Sequence, residues 1–133
     1  MREFASLDEF AGAVGEHLGY SEWQTITQER VDLFADATDD HQWIHIDHEK
    51  AAAGPFGTTI AHGFLTLSLL SSFGPKIYRV DGLKMGINYG LNKVRFPNPV
   101  KVGAKIRAGA ELAEITDVPG GKQAVVRWTI EID

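Results

Sequence analysis

An α+β fold, with an antiparallel sheet curled around one buried helix, is what this sequence predicts, and three observations predict it. Apolar residues in the first half recur at helical spacing, the stretch from Gly63 to Phe73 is apolar on nearly every side, and from Leu83 onward apolar and polar residues alternate. Helices thus come first and strands after. Long antiparallel strands with one apolar face cover a buried helix by wrapping around it. The 133 residues, 44% of them hydrophobic, suffice for one sizeable core and fall short of two ordinary domains, so residues 1–133 read as a single domain.

Each element has its own signal. Ser6-Leu7-Asp8-Glu9 is a capping-box pattern, and Phe10, Val14 and Leu18 follow at helical spacing before Gly19. A strand is expected through Trp23 and Ile26. Thr27 then caps a second helix with Val31, Phe34 and Ala35 on one stripe, ending near Thr38. From Asp39 to Asp47 neither period holds, and a short helix, Glu49 to Ala53, precedes Gly54-Pro55. The Gly63 to Phe73 helix is predicted to stop at Gly74-Pro75.

Beyond it, Leu83, Met85, Ile87, Tyr89 and Leu91 mark a strand, while Val94 and Phe96 sit in the opposite phase, as a β-bulge near Asn92-Lys93 would produce. Ile106, Ala108, Ala110 and Leu112 mark a half-buried strand. Ala124, Val126, Trp128, Ile130 and Ile132 mark the next, with Asp117 to Gly121 as the hairpin loop. A helix enclosed in this way is the hotdog arrangement.

Composition excludes several functions. The net charge of −5 comes from interspersed acids and bases, so no basic face advertises nucleic acid. With no cysteine there are no disulfides, cysteine nucleophiles or thiolate metal sites. Met1 to Phe10 carries four charged residues and no signal-like apolar run, and nowhere do 18 apolar residues stand together, so no membrane association and a cytoplasmic location are expected.

The aperiodic segment Asp40-His41-Gln42-Trp43-Ile44-His45 carries the chemistry. A curled loop lets the Asp40 carboxylate and the His45 imidazole face one pocket, where they can activate water and move a proton near neutral pH. Two other readings stand beside this one: Asp40 as a turn cap with His45 a satisfied histidine, and a metal site drawn from His41, His45 and His48. Flanking Ile44 and Ile46 pin His45 to the core on alternate sides, and no helical sign brings His41 and His45 to one face; no metal is expected. Ala61-His62-Gly63-Phe64 opens the buried helix, and the Gly63 N–H, unshielded by a side chain, is a candidate donor to an enolate oxygen, or else Gly63 permits close packing. His62 orients this loop or meets substrate.

The run Phe34-Ala35-Asp36-Ala37-Thr38-Asp39-Asp40-His41-Gln42-Trp43-Ile44-His45-Ile46-Asp47, then Gly54-Pro55-Phe56-Gly57-Thr58-Thr59-Ile60-Ala61-His62-Gly63, closely resembles the MaoC-like (R)-specific enoyl-CoA hydratases. Within them it is most similar to the nodulation-protein-N-like branch with its mycobacterial members, as is Asn88 to Pro97. The resemblance implies the hotdog fold, catalytic residues Asp40 and His45, and an oxyanion-hole amide at Gly63. Gln42 stands where the wider family often has Asn and Trp43 where proline is common, so a thioester-orienting role for Gln42 is an expectation from position alone. Ser68 falls at a position that lines the acyl pocket, and Lys93 and Arg95 are candidate contacts for coenzyme A phosphates.

The implied reaction is reversible syn addition of water to a trans-2-enoyl-CoA, giving the (R)-3-hydroxyacyl-CoA, with no cofactor because the thioester carbonyl is the electron sink. Asp40 removes the proton of the attacking water and His45 helps deliver one to C2. Rivals are an acyl-CoA thioesterase, a dehydratase of acyl-carrier-protein substrates, and a non-catalytic acyl-thioester binding module. A homodimer is the expected assembly, with an acyl-CoA as the small-molecule partner.

Overall fold

The computed structural model describes residues 1–133. Along the chain run β1 (Arg2–Phe4), α1 (Leu7–Ala11), β2 (His17–Tyr20), β3 (Gln24–Thr25), α2 (Gln28–Thr38), α3 (Trp43–Ile46), α4 (His48–Ala52), α5 (Gly63–Ser68), α6 (Leu70–Ile77), β4 (Tyr78–Val80), β5 (Lys105–Val118) and β6 (Gly121–Ile132). They group into two compact units: Met1–Glu22, Ser71–Asn92 and Arg107–Glu131 form the first, and Trp23–Leu70, Lys93–Ile106 and Ile132–Asp133 the second.

In the first unit the capping box forms: Ser6 Oγ accepts from Glu9 N–H at 3.1 Å, and the Glu9 carboxylate accepts from Ala5 N–H at 2.7 Å. The helix it starts is shorter than its apolar spacing predicts. Gly12 caps α1, Gly15 turns the chain at φ +88°, and Leu18 is buried from a strand instead. That strand, β2, pairs antiparallel with β5, with Tyr20 opposite Gly109, and β1 pairs parallel with β4. Gly109 gives the Tyr20 ring room there, because a Cβ would come within 2.9 Å of it. Ala108, Ala110 and Leu112 are fully buried on alternate positions, as their period predicts, and β5 turns into β6 at Gly120 with φ +85°.

Gly74-Pro75 does not stop the helix; both lie inside α6. The glycine provides closeness, since a Cβ at Gly74 would lie 3.2 Å from the Trp128 ring of β6. Pro75 has no N–H to donate to the Ser71 carbonyl, and this break in the ladder falls at an exposed residue. The strand predicted from Leu83 to Leu91, and the bulge after it, do not form. Met85, Ile87, Tyr89 and Leu91 are 67–86% exposed and join no ladder. Their alternation is real, but period two makes a strand only where a partner pairs with it, and no strand of the chain pairs with this segment.

In the second unit Thr27 Oγ1 accepts from Arg30 N–H at 3.2 Å and caps α2, whose Val31 and Ala35 are fully buried. The helix ends on Asp39 in the left-handed conformation, φ 59°. The segment expected to lack any helix contains one turn, α3, because the Gln42 carbonyl accepts from His45 N–H and Trp43 closes on Asp47. Residues 59–61 lie along 100–102: Ala61 N–H donates to Val100 at 2.8 Å and Val102 N–H to Thr59 at 3.0 Å. β3 pairs with the first two residues of β5. The helix predicted unbroken from Gly63 is interrupted at Leu69 and is buried along Leu65 and Leu69, with Phe64 and Ser68 exposed.

Candidate active site

His45 projects from the single turn α3, and its main chain is tied down by residues distant in sequence. Gln28 donates its side-chain amide to the His45 carbonyl at 2.8 Å and to Asp32 at 2.8 Å, while the Thr59 hydroxyl donates to the side-chain Oε1 of Gln28 at 2.6 Å. The ring is buried, and its Nδ1 lies 2.7 Å from the Ile60 carbonyl oxygen. A carbonyl only accepts, so the hydrogen sits on Nδ1 and the neutral ring keeps a bare lone pair on Nε2. Burial, the largest influence, pushes the His45 pKa below its ordinary value with help from His62, against the opposing pull of the Ile60 carbonyl and Asp40.

Asp40 follows the left-handed Asp39 directly, and its main-chain N–H donates to Ala35 at 3.1 Å. Its exposed carboxylate accepts from Gln42 N–H at 3.4 Å. Asp40, His45 and His62 each present a ligand-type atom, all within 4.8 Å of one another. His62 is 3% exposed and stacks on His45 with centroids 3.8 Å apart and planes 23° apart. These three, rather than His41, His45 and His48, form the donor group. His41 instead faces outward onto Asp36, whose carboxylate raises its pKa, and Asp39. Two nearly parallel stacked rings aim their in-plane lone pairs alongside each other rather than at one point, which is poor chelating geometry.

Gly63, at the start of α5, lines a cavity of about 290 Å³ together with His45, Phe56, Ile60, Thr66 and Phe96. A Cβ on Gly63 would come within 2.8 Å of the Phe96 ring, so only glycine leaves this approach open. The first N–H groups of a helix lack partners within it, and here they border an apolar cavity with a histidine on its wall. Of the other residues singled out from sequence, Gln42 is exposed and serves α3 through its main chain; Ser68, Lys93 and Arg95 are exposed and do not line the cavity. Sequence reasoning missed Gln28, Thr59 and Phe96. Only the fold shows that Gln28, 17 residues before His45, reaches its carbonyl.

Comparison with known proteins identifies the family. The MaoC-like domain family matches residues 9–132. The chain is 58% identical to 3-hydroxyacyl-thioester dehydratase Z of Mycobacterium tuberculosis, over all of this chain and 89% of that one. It is 53% identical to nodulation protein N of Rhizobium leguminosarum bv. viciae, over 96% of this chain and 80% of that one. The crystal structure of a monoamine oxidase regulatory protein from Archaeoglobus fulgidus superposes with a TM-score of 0.76 at 29% identity, covering 98% of this chain and 84% of that one. The buried stripe of the helix, the antiparallel strands and the match over nearly the whole length agree: the chain belongs to the MaoC-like family and is a hydro-lyase of the hotdog fold.

Proposed function

We propose that the protein hydrates trans-2-enoyl-CoA reversibly to the (R)-3-hydroxyacyl-CoA, working as one hotdog domain over residues 1–133. The observation that carries this reading is the grouping of the Asp40 carboxylate with a ring nitrogen of the buried His45, within 4.8 Å of each other, beside an apolar cavity, while the Nδ1 of that ring is taken by the Ile60 carbonyl. The relative named as a 3-hydroxyacyl-thioester dehydratase supports the substrate class.

Water bridges the two groups, one hydrogen toward the carboxylate and the other toward Nε2. As its oxygen bonds to C3, the pair takes one proton and returns one to C2, so both residues end as they began. Between those events negative charge rests on the thioester oxygen, which the Gly63 N–H meets. Because His45 starts without a hydrogen on Nε2, it receives a proton before it can give one. The thioester carbonyl is the only electron sink this scheme needs, so neither metal nor cofactor takes part. Phe56, Ile60 and Phe96 take the acyl chain; Lys93 and Arg95 are assigned to the coenzyme A phosphates, Gln42 to orienting the thioester and Ser68 to the acyl side.

The exposed alternation of Leu83 to Leu91 supports a homodimer in which this segment pairs with its copy. No helix is long and apolar enough to cross a membrane, and dependence on coenzyme A esters assigns the work to the cytoplasm.

The test is incubation with crotonyl-CoA, following loss of the conjugated-enoyl absorbance and release of free thiol in parallel. Absorbance loss without thiol, abolished in Asp40→Asn, is the expected result. Thiol release would make the protein a thioesterase, and turnover restricted to acyl-carrier-protein substrates would replace coenzyme A with a carrier domain. Tight ester binding without turnover would make it a binding module.

A further inference from the structure

His62 touches both members of the Asp40–His45 pair, by two different kinds of contact. Its Nε2 lies 3.0 Å from the Asp40 main-chain oxygen; because a carbonyl only accepts, Nε2 carries the hydrogen and donates it. Its ring stacks on His45, and Phe34 packs on it at 4.9 Å between centroids. The remaining nitrogen, Nδ1, is buried without a partner. A buried acceptor left unmatched costs about 1–3 kcal/mol, so an apolar ring of similar shape would be the more stable filling if space were the only requirement. Such a ring cannot hold the Asp40 carbonyl.

That hold bears on the exposed end of the pair. Asp40 stands just past the end of α2, and its carboxylate is held by Gln42 N–H only at 3.4 Å, so its position follows the main chain at 39–41. His45, by contrast, is fixed through Ile60 and Gln28. His62 is the one side chain that bonds the Asp40 carbonyl and also lies against the His45 ring.

We infer that His62 is a positioning residue, setting the spacing of Asp40 and His45 by donating to the main chain of the first and stacking on the ring of the second. This rests on the hydratase reading for its kinetic consequence and on geometry alone for its structural one.

The test compares His62→Phe, which keeps a ring and loses the donor, with His62→Gln, whose amide nitrogen reaches where Nε2 does. His62→Phe is expected to lower kcat about 10- to 100-fold, the loss typical of removing a residue that orients a reacting group, with KM within about 3-fold. His62→Gln is expected to recover about tenfold of that loss in kcat. Hydrogen exchange of the Asp40 amide, bonded to Ala35, is expected to quicken in His62→Phe and not in His62→Gln. If His62→Phe does not fold, His62→Asn replaces it, because its shorter amide falls short of the Asp40 carbonyl.

Wild-type kcat in the donor-less variant, or equal losses with and without a donor, would overturn the inference. If the unaltered protein turns over no enoyl thioester, the hydratase reading fails, and Asp40 amide exchange alone decides: equal rates in the Phe and Gln variants would overturn the positioning role.

Discussion

Phe96 lies against Gly63 so closely that a methyl group on the glycine would come within 2.8 Å of its ring and force it aside. Phe96 is half exposed and free to turn away, so Gly63→Ala should fold normally. The displaced ring would enter the substrate's approach to the Gly63 amide, and we expect kcat/KM to fall about 100-fold, the scale of about 1 Å of lost alignment. Combining Gly63→Ala with Phe96→Ala should restore part of the loss. An unchanged rate in the single variant would remove Gly63 from the reaction.

In the proposed mechanism, the titration of His45 sets the acid side of the pH profile. Its pKa is lowered, so the neutral ring that accepts from water persists to more acidic pH than for an ordinary histidine, whose pKa is about 6.5. The acid limb of kcat/KM should therefore lie below that value, with activity present above it and lost as pH falls through it. An acid limb above the ordinary histidine range would show that His45 acts in its charged form.

Chelation should do nothing to turnover. Asp40, His45 and His62 have the donor types of a divalent metal site, yet the stacked imidazoles do not converge on one point. Full activity after dialysis against EDTA is the expected result; activity lost to EDTA and restored by zinc would overturn the metal-free scheme.

Ile87 and Tyr89 are 75% and 86% exposed at the centre of the alternating segment. If that segment pairs with its copy, the double change Ile87→Lys and Tyr89→Lys places like charges across the symmetric junction and should give monomers by light scattering. A dimer of unchanged affinity would move the interface elsewhere.

The Ser6 and Thr27 caps, the buried alternation from Ile106 to Leu112 and the β5–β6 turn could be read from sequence, because each is set by residues within a few positions of one another. The extent of α1 could not, since Leu18 satisfies a helical period while being buried from a strand. Gly74 misled for a related reason: glycine ends helices and also lets them lie close, and only the ring of Trp128 decides between the two. In the site, Asp40, His45 and Gly63 were legible through a short motif. Gln28 and Thr59 were not, because nothing local marks a glutamine that serves a carbonyl 17 residues away.

The acceptors that orient the two stacked imidazoles are main-chain carbonyls, those of Ile60 and Asp40. Every amino acid brings a carbonyl, so side-chain replacement at position 60 leaves the orientation of His45 intact. Such a site tolerates drift in its neighbours' chemistry and is vulnerable to changes in chain length. Insertions or deletions between 40 and 62 would misalign it more surely than most point substitutions, and a designer enlarging the cavity has freedom at Ile60 that its burial would not advertise.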